Sequence, residues 1–175
     1  MKILALDLST KSSGWAIYSE NKLENYGCIS SVGNNLFKRI NKMIESLEEI
    51  IQQNKIDRIV IEDVLPEDVK HNQKVFKALT YLQGFVLNLL DKYNLDNIQF
   101  YTSSEWRKKC GIRTGRAIKR DELKVQDIKF VKDSFNIDVN DDVADAICIG
   151  YADITKEKIE NKNLSEYDEF GFEFK

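Results

Sequence analysis

At 175 residues with a formal net charge of −3, the chain can bury one sizeable core and is too acidic overall to bind nucleic acid by bulk charge. A single histidine, His71, excludes a histidine-rich zinc or non-haem iron site. Three cysteines without CxxC spacing (Cys28, Cys110, Cys148) make neither a disulfide framework nor a zinc site. Any metal would therefore need hard oxygen ligands, which suits magnesium or manganese. No apolar run approaches the roughly 18 residues that span a bilayer, and Asp7 stops the apolar start. A soluble, cytoplasmic protein without a membrane partner is expected.

In chain order, residues 2–8 read as a buried strand, residues 9–13 as a polar turn and residues 14–18 as a second strand. Glu20-Asn21-Lys22 reads as a hairpin turn into a third strand over 23–30. Leu36, Ile40, Met43, Ile44, Leu47, Ile50 and Ile51 keep helical spacing over 34–53. Residues 57–62 form a fourth strand, which Pro66 prevents from continuing. A second helix covers 72–93. Its stripe of Tyr81, Leu82, Phe85, Val86 and Leu89 reads as core. A fifth strand over 97–101 leads to a capping box, Thr102 to Glu105, that opens a short helix to Lys109. A glycine-containing loop over 110–117 precedes a helix to about Phe135, and a final helix starts at Asn140 or Asp141. The order βββαβαβα and helix defines a mixed five-stranded α/β sheet, three antiparallel strands then parallel additions, with helices on both faces. That is the ribonuclease-H-like arrangement. One domain is expected over 1–160, with an acidic, aromatic tail over 161–175 containing Tyr167, Phe170, Phe172 and Phe174.

Four acids end or open apolar segments: Asp7, Glu62, Asp142 and Asp145. Taken singly, each is more simply a solvated strand end or a helix-start carboxylate. Together they differ, because a central first strand beside a parallel fourth puts Asp7 and Glu62 at one sheet edge. Asp142 and Asp145, three apart, share a helix face. Two unit charges 4 Å apart repel by about 4 kcal/mol at an effective dielectric near 20, so such a cluster needs counter-ions. Two divalent cations would supply them and create phosphoryl-transfer chemistry. Asp141 at i, i+4 from Asp145 is the alternative to Asp142.

The blocks Asp7-Leu8-Ser9-Thr10-Lys11-Ser12-Ser13-Gly14-Trp15, Val60-Ile61-Glu62-Asp63 and Asp142-Val143-Ala144-Asp145-Ala146 resemble the RuvC family of Holliday-junction resolvases, above all its divergent bacteriophage branch. The resemblance runs from about residue 2 to 153. It implies that Asp7, Glu62, Asp142 and Asp145 bind two magnesium or manganese ions and catalyse phosphodiester hydrolysis. It also implies a homodimer that nicks a four-way DNA junction in two strands, in the host cytoplasm if phage-encoded. Ser9 stands where bacterial members usually carry glycine, and the loop after Glu62 differs, so no cut-site preference carries over.

Arg107, Lys108, Lys109, Arg113, Arg116, Lys119, Arg120 and Lys124 form a dense basic stretch in an otherwise acidic chain. A solvated charged surface is the plain reading and a phosphate-contacting surface the stronger one. The resemblance also implies a lysine in this region that stabilises charge on the scissile phosphate, Lys124 or, as the alternative, Lys119. The leading function is a metal-dependent structure-selective DNA endonuclease acting on four-way junctions and other branched DNA. The alternatives are a non-cleaving branched nucleic-acid binder of the same fold, and a phosphotransferase of the actin and sugar-kinase type. The first gains nothing from clustered negative charge, and the second lacks glycine-rich phosphate loops and a second domain.

Overall fold

The computed structural model describes residues 1–65, 72–115 and 118–169, with side chains described as far as Thr155. Pro66, His71, Arg116, Phe170, Phe172 and Phe174 lie outside the described residues, as does the side chain of Tyr167.

Five strands, β1 (Lys2–Asp7), β2 (Ser12–Ser19), β3 (Lys22–Ser30), β4 (Arg58–Glu62) and β5 (Ile98–Tyr101), form one sheet in the order β3-β2-β1-β4-β5. β1 pairs antiparallel with β2 and parallel with β4, and β4 pairs parallel with β5. The helices are α1 (Leu36–Gln53), α2 (Gln73–Lys92), α3 (Ser103–Lys109), α4 (Arg120–Phe135) and α5 (Asp141–Glu169). This is the expected architecture, with α5 running unbroken past residue 160. β2 begins two residues before the expected start, because Ser12 and Ser13 join the ladder opposite Ser30 and Ile29. Glu20 and Asn21 both have positive φ, 49° and 63°, as a two-residue hairpin turn that matches strand twist requires.

Strand parity sorts the core into two layers. Ile3, Ala5, Ala16, Tyr18 and Val60 pack on one face against Trp106, Val131 and the apolar side of α5. Leu4, Leu6, Ile17, Ile59 and Ile61 pack on the other against Ile40, Met43, Leu47 and Ile51 of α1 and Leu82, Val86 and Leu89 of α2. Of the α2 stripe, Tyr81 and Phe85 stay outside, 47% and 43% exposed. Among the described residues, no helix is long and apolar enough to cross a membrane.

Two contacts fix the position of α5. Toward its middle, Asp153 is fully buried and receives an Arg58 fork, Nε to Oδ2 at 2.8 Å and Nη2 to Oδ1 at 3.0 Å, plus the Tyr101 hydroxyl at 3.0 Å. At its first turn, α5 meets β2 at Gly14, the cross-strand partner of Asp7. A Cβ on Gly14 would lie 1.8 Å from the Asp142 carbonyl oxygen and 2.5 Å from its carbonyl carbon. Both obstacles are backbone, so only a shift of the helix would relieve the clash. Gly14→Ala is expected to cost at least about 1–3 kcal/mol, read by urea unfolding. It should also move Asp142 away from Asp7 and so depress activity in whatever molecules still fold.

Candidate active site

The parity that sorts the core also aims the acids. Asp7 follows Ile3 and Ala5, and Glu62 follows Val60, so both side chains lie on the α5 side of the sheet. The β1–β4 register pairs Leu6 with Ile61, which brings the next residues, Asp7 and Glu62, to adjacent strand ends. Asn140 caps α5, its Oδ1 accepting from the Val143 N–H at 3.0 Å. The first turn of α5 then carries Asp142 and Asp145 to the same place. All four acids line one cleft of about 840 Å³. Asp141 does not line it; its carboxylate is held by Lys124 instead. The structure thus groups Asp142, not Asp141, with Asp145.

Each acid has a distinct environment. Glu62 Oε2 accepts from the Trp106 indole N–H at 3.0 Å. Asp142 Oδ2 accepts from the Ser12 hydroxyl, which also contacts Cys28 Sγ at 3.0 Å. Burial, Glu62 and Asp142 together raise the Asp7 pKa well above the usual carboxylate range. Asp145, 9% exposed, is pushed up to about 9 by burial first, then by the charges of Asp7 and Asp127. Its Oδ1 makes no hydrogen bond among the described residues, and Arg107 Nη2 stands 3.9 Å away. Ionising Asp7 and Asp145 is therefore opposed unless a cation enters.

Among the described residues, no three acid, histidine or cysteine side chains stand close enough together to cage an ion as they are. The donor set nonetheless fits one. It is all oxygen, its members repel one another, and a buried carboxylate oxygen lacks a partner. Those are the conditions under which a hard divalent cation is favoured over protonation.

The basic stretch divides. Arg107 lines the cleft and is largely buried, unlike the rest of the stretch. It is 8% exposed, forks onto fully buried Asp127 (Nε to Oδ1 3.2 Å, Nη2 to Oδ2 2.8 Å) and stacks on the Trp106 ring at 4.1 Å. Burial opposes its charge, and Asp127, with Asp145 and Glu62, more than offsets that, leaving its pKa raised. Lys109 is half-buried, its Nζ 4.5 Å from the Tyr101 ring centre. Lys108, Arg113, Lys119 and Arg120 are exposed. Arg120 and Lys124 line the cleft, and the opposite wall carries Lys11, Arg39 and Lys74, which sequence reasoning passed over. Arg39 donates to the Thr10 carbonyl at 3.0 Å and the Gly33 carbonyl at 2.8 Å, so it braces the turn after Asp7. That turn is closed by Ser13, whose hydroxyl donates to the Ser9 carbonyl at 2.7 Å.

A ribonuclease-H-like sheet that brings acids from β1, β4 and the last helix into one cation-rimmed cleft defines a nuclease-type phosphoryl-transfer scaffold. The model of the family "Crossover junction endodeoxyribonuclease RuvC" matches residues 3–151. The chain belongs to the RuvC family of crossover junction endodeoxyribonucleases. A RuvC from Campylobacter hominis is 30% identical over 84% of this chain and 94% of its own length. One from Ehrlichia ruminantium is 29% identical over 87% and 98%. In fold, the chain is similar to Thermus thermophilus RuvC in complex with a Holliday junction substrate, with a TM-score of 0.73 at 10% identity, covering 91% of this chain and 96% of that one. The yeast mitochondrial Holliday junction resolvase is more distant, with a TM-score of 0.56 at 12% identity, covering 94% and 83%.

Proposed function

We propose that this protein resolves four-way DNA junctions, and cuts other branched DNA, by metal-dependent phosphodiester hydrolysis. Asp7, Glu62, Asp142 and Asp145 would hold two magnesium or manganese ions. The observation that carries this reading is the convergence of those four acids inside a cleft whose two walls are cationic. When bound, the ions would neutralise the carboxylates, activate water and stabilise the leaving oxygen. The chain's own residues do the rest. Ser12 and Trp106 orient Asp142 and Glu62. Lys124, kept protonated by its hydrogen bond to Asp141, offers charge to the scissile phosphate. Arg120 on one wall and Lys11 and Lys74 on the other flank a single DNA strand. Lys108, Arg113 and Lys119, all exposed, would continue the phosphate track outside. Such contacts read backbone rather than bases, so junction shape supplies the selectivity.

Two cuts in one junction call for two sites, and the exposed aromatic face supports a homodimer. Phe37 of α1 is 57% exposed and stacks on Tyr81 of α2, ring centres 6.3 Å apart at 23°, with Phe85 beside them on α2. Sedimentation is expected to return twice the chain mass. The function itself is tested on a panel of four-way junction, fork, flap and linear duplex with magnesium or manganese. Junctions should be cut in preference to linear duplex. Branched substrates left whole with both metals would sink the proposal.

A further inference from the structure

We propose that Trp106 is a positioning residue of the cleavage site, its indole N–H holding one oxygen of Glu62 so that the carboxylate meets the cleft in a set orientation. This rests on the reading of Glu62 as a metal ligand. Trp106 is fully buried, and a buried indole N–H needs an acceptor. It takes that acceptor not from a neighbouring carbonyl but from the carboxylate of an acid 44 residues away in sequence, at 3.0 Å.

The indole is itself held in place. The Arg107 guanidinium lies 4.1 Å over its ring and is locked by the fork onto Asp127. The helix that carries both residues starts at a closed capping box, the Thr102 N–H donating to Glu105 Oε2 at 2.8 Å. Two consecutive residues of α3 thus reach two different acids, Trp106 to Glu62 by a hydrogen bond and Arg107 to Asp145 by charge. Glutamate is the longest and most flexible of the four acid side chains. Fixing one of its oxygens removes rotational freedom before an ion arrives, which is how outer-layer donors raise ligand affinity.

The test uses the full chain and manganese binding followed by the loss of the free-ion paramagnetic resonance signal. Trp106→Phe keeps an aromatic ring at the position, though a smaller one, and removes the N–H. It is expected to bind manganese about tenfold more weakly, with junction cleavage recovering as manganese is raised and junction binding in calcium unchanged. A folded Trp106→Phe protein whose manganese affinity lies within about twofold of wild type overturns the proposal.

A second readout does not depend on that variant folding. The chain has two tryptophans, so its nitrogen-15 spectrum holds two indole N–H signals, assigned with Trp15→Phe. Trp15 packs on the other side of the sheet and serves as the control. The Trp106 signal should move on magnesium addition and in Glu62→Gln, while the Trp15 signal stays; a Trp106 signal unmoved by magnesium overturns the proposal. Manganese affinity at the wild-type level in Glu62→Gln would instead overturn the ligand reading on which it rests.

Discussion

Asp7→Asn is expected to lower junction cleavage by at least about a thousandfold while leaving junction binding intact. Asp7 sits where burial, Glu62 and Asp142 all oppose its charge, so its ionisation needs a counter-ion. Asparagine keeps the shape and removes one of the negative charges that would draw cations in. Binding should survive because phosphates are met by the cationic walls, and a lost carboxylate only reduces repulsion toward DNA. The same change should make the metal-free protein more resistant to urea, since it removes a buried like-charge conflict. Magnesium at about 100 times its dissociation constant should stabilise wild type by about 2.7 kcal/mol, and the variant by much less. Cleavage gels, electrophoretic shifts in calcium and urea melts with and without magnesium check these outcomes together. A variant that cuts at near wild-type rate would remove Asp7 from the chemistry.

Asp127→Ala is expected to cost about 3–5 kcal/mol of folding stability, the usual consequence of stranding one partner of a buried ion pair. Asp127 is fully buried on α4 and holds the Arg107 guanidinium through both its Nε and its Nη2. Without it, the nearest anion for Arg107 is Asp145, already 3.9 Å away. Pairing there would draw Asp145 out of the cleft chemistry. Cleavage should therefore fall further than the unfolded fraction explains. Replacing both partners, Arg107→Met with Asp127→Ala, should recover most of the stability by filling the space with apolar atoms. It should not restore full activity, because the charge beside Asp145 and the stack on Trp106 are gone. Urea unfolding of the two singles and the double, with cleavage at matched folded fractions, measures both parts. Equal stability of Asp127→Ala and wild type would show that the pair contributes nothing.

The sequence by itself determined the elements, their order and the four acids. Those signals are local: short continuous apolar runs ended by an acid in β1 and β4, helical spacing in α1 and α2, and a capping box before Trp106. A sheet with a parallel crossover then leaves few ways to arrange the strands, which is why Asp7 and Glu62 were legible as neighbours. The Asp142-to-Ala146 motif already favoured Asp142 over Asp141, but only the tertiary structure supplies the physical reason, because Lys124 of another helix holds Asp141 and Gly14 lets α5 approach β2 closely. The tertiary structure also buries Arg107. A charge run reads as solvated from sequence, and the acid that buries this one lies 20 residues further on, on the inner face of α4. Lys11, Arg39, Lys74 and the Trp106–Glu62 bond stayed invisible for the same reason. Which face a strand or helix buries is set by neighbours in the chain, whereas the partners of a polar group at a site come from whichever distant segments the closed fold brings against it.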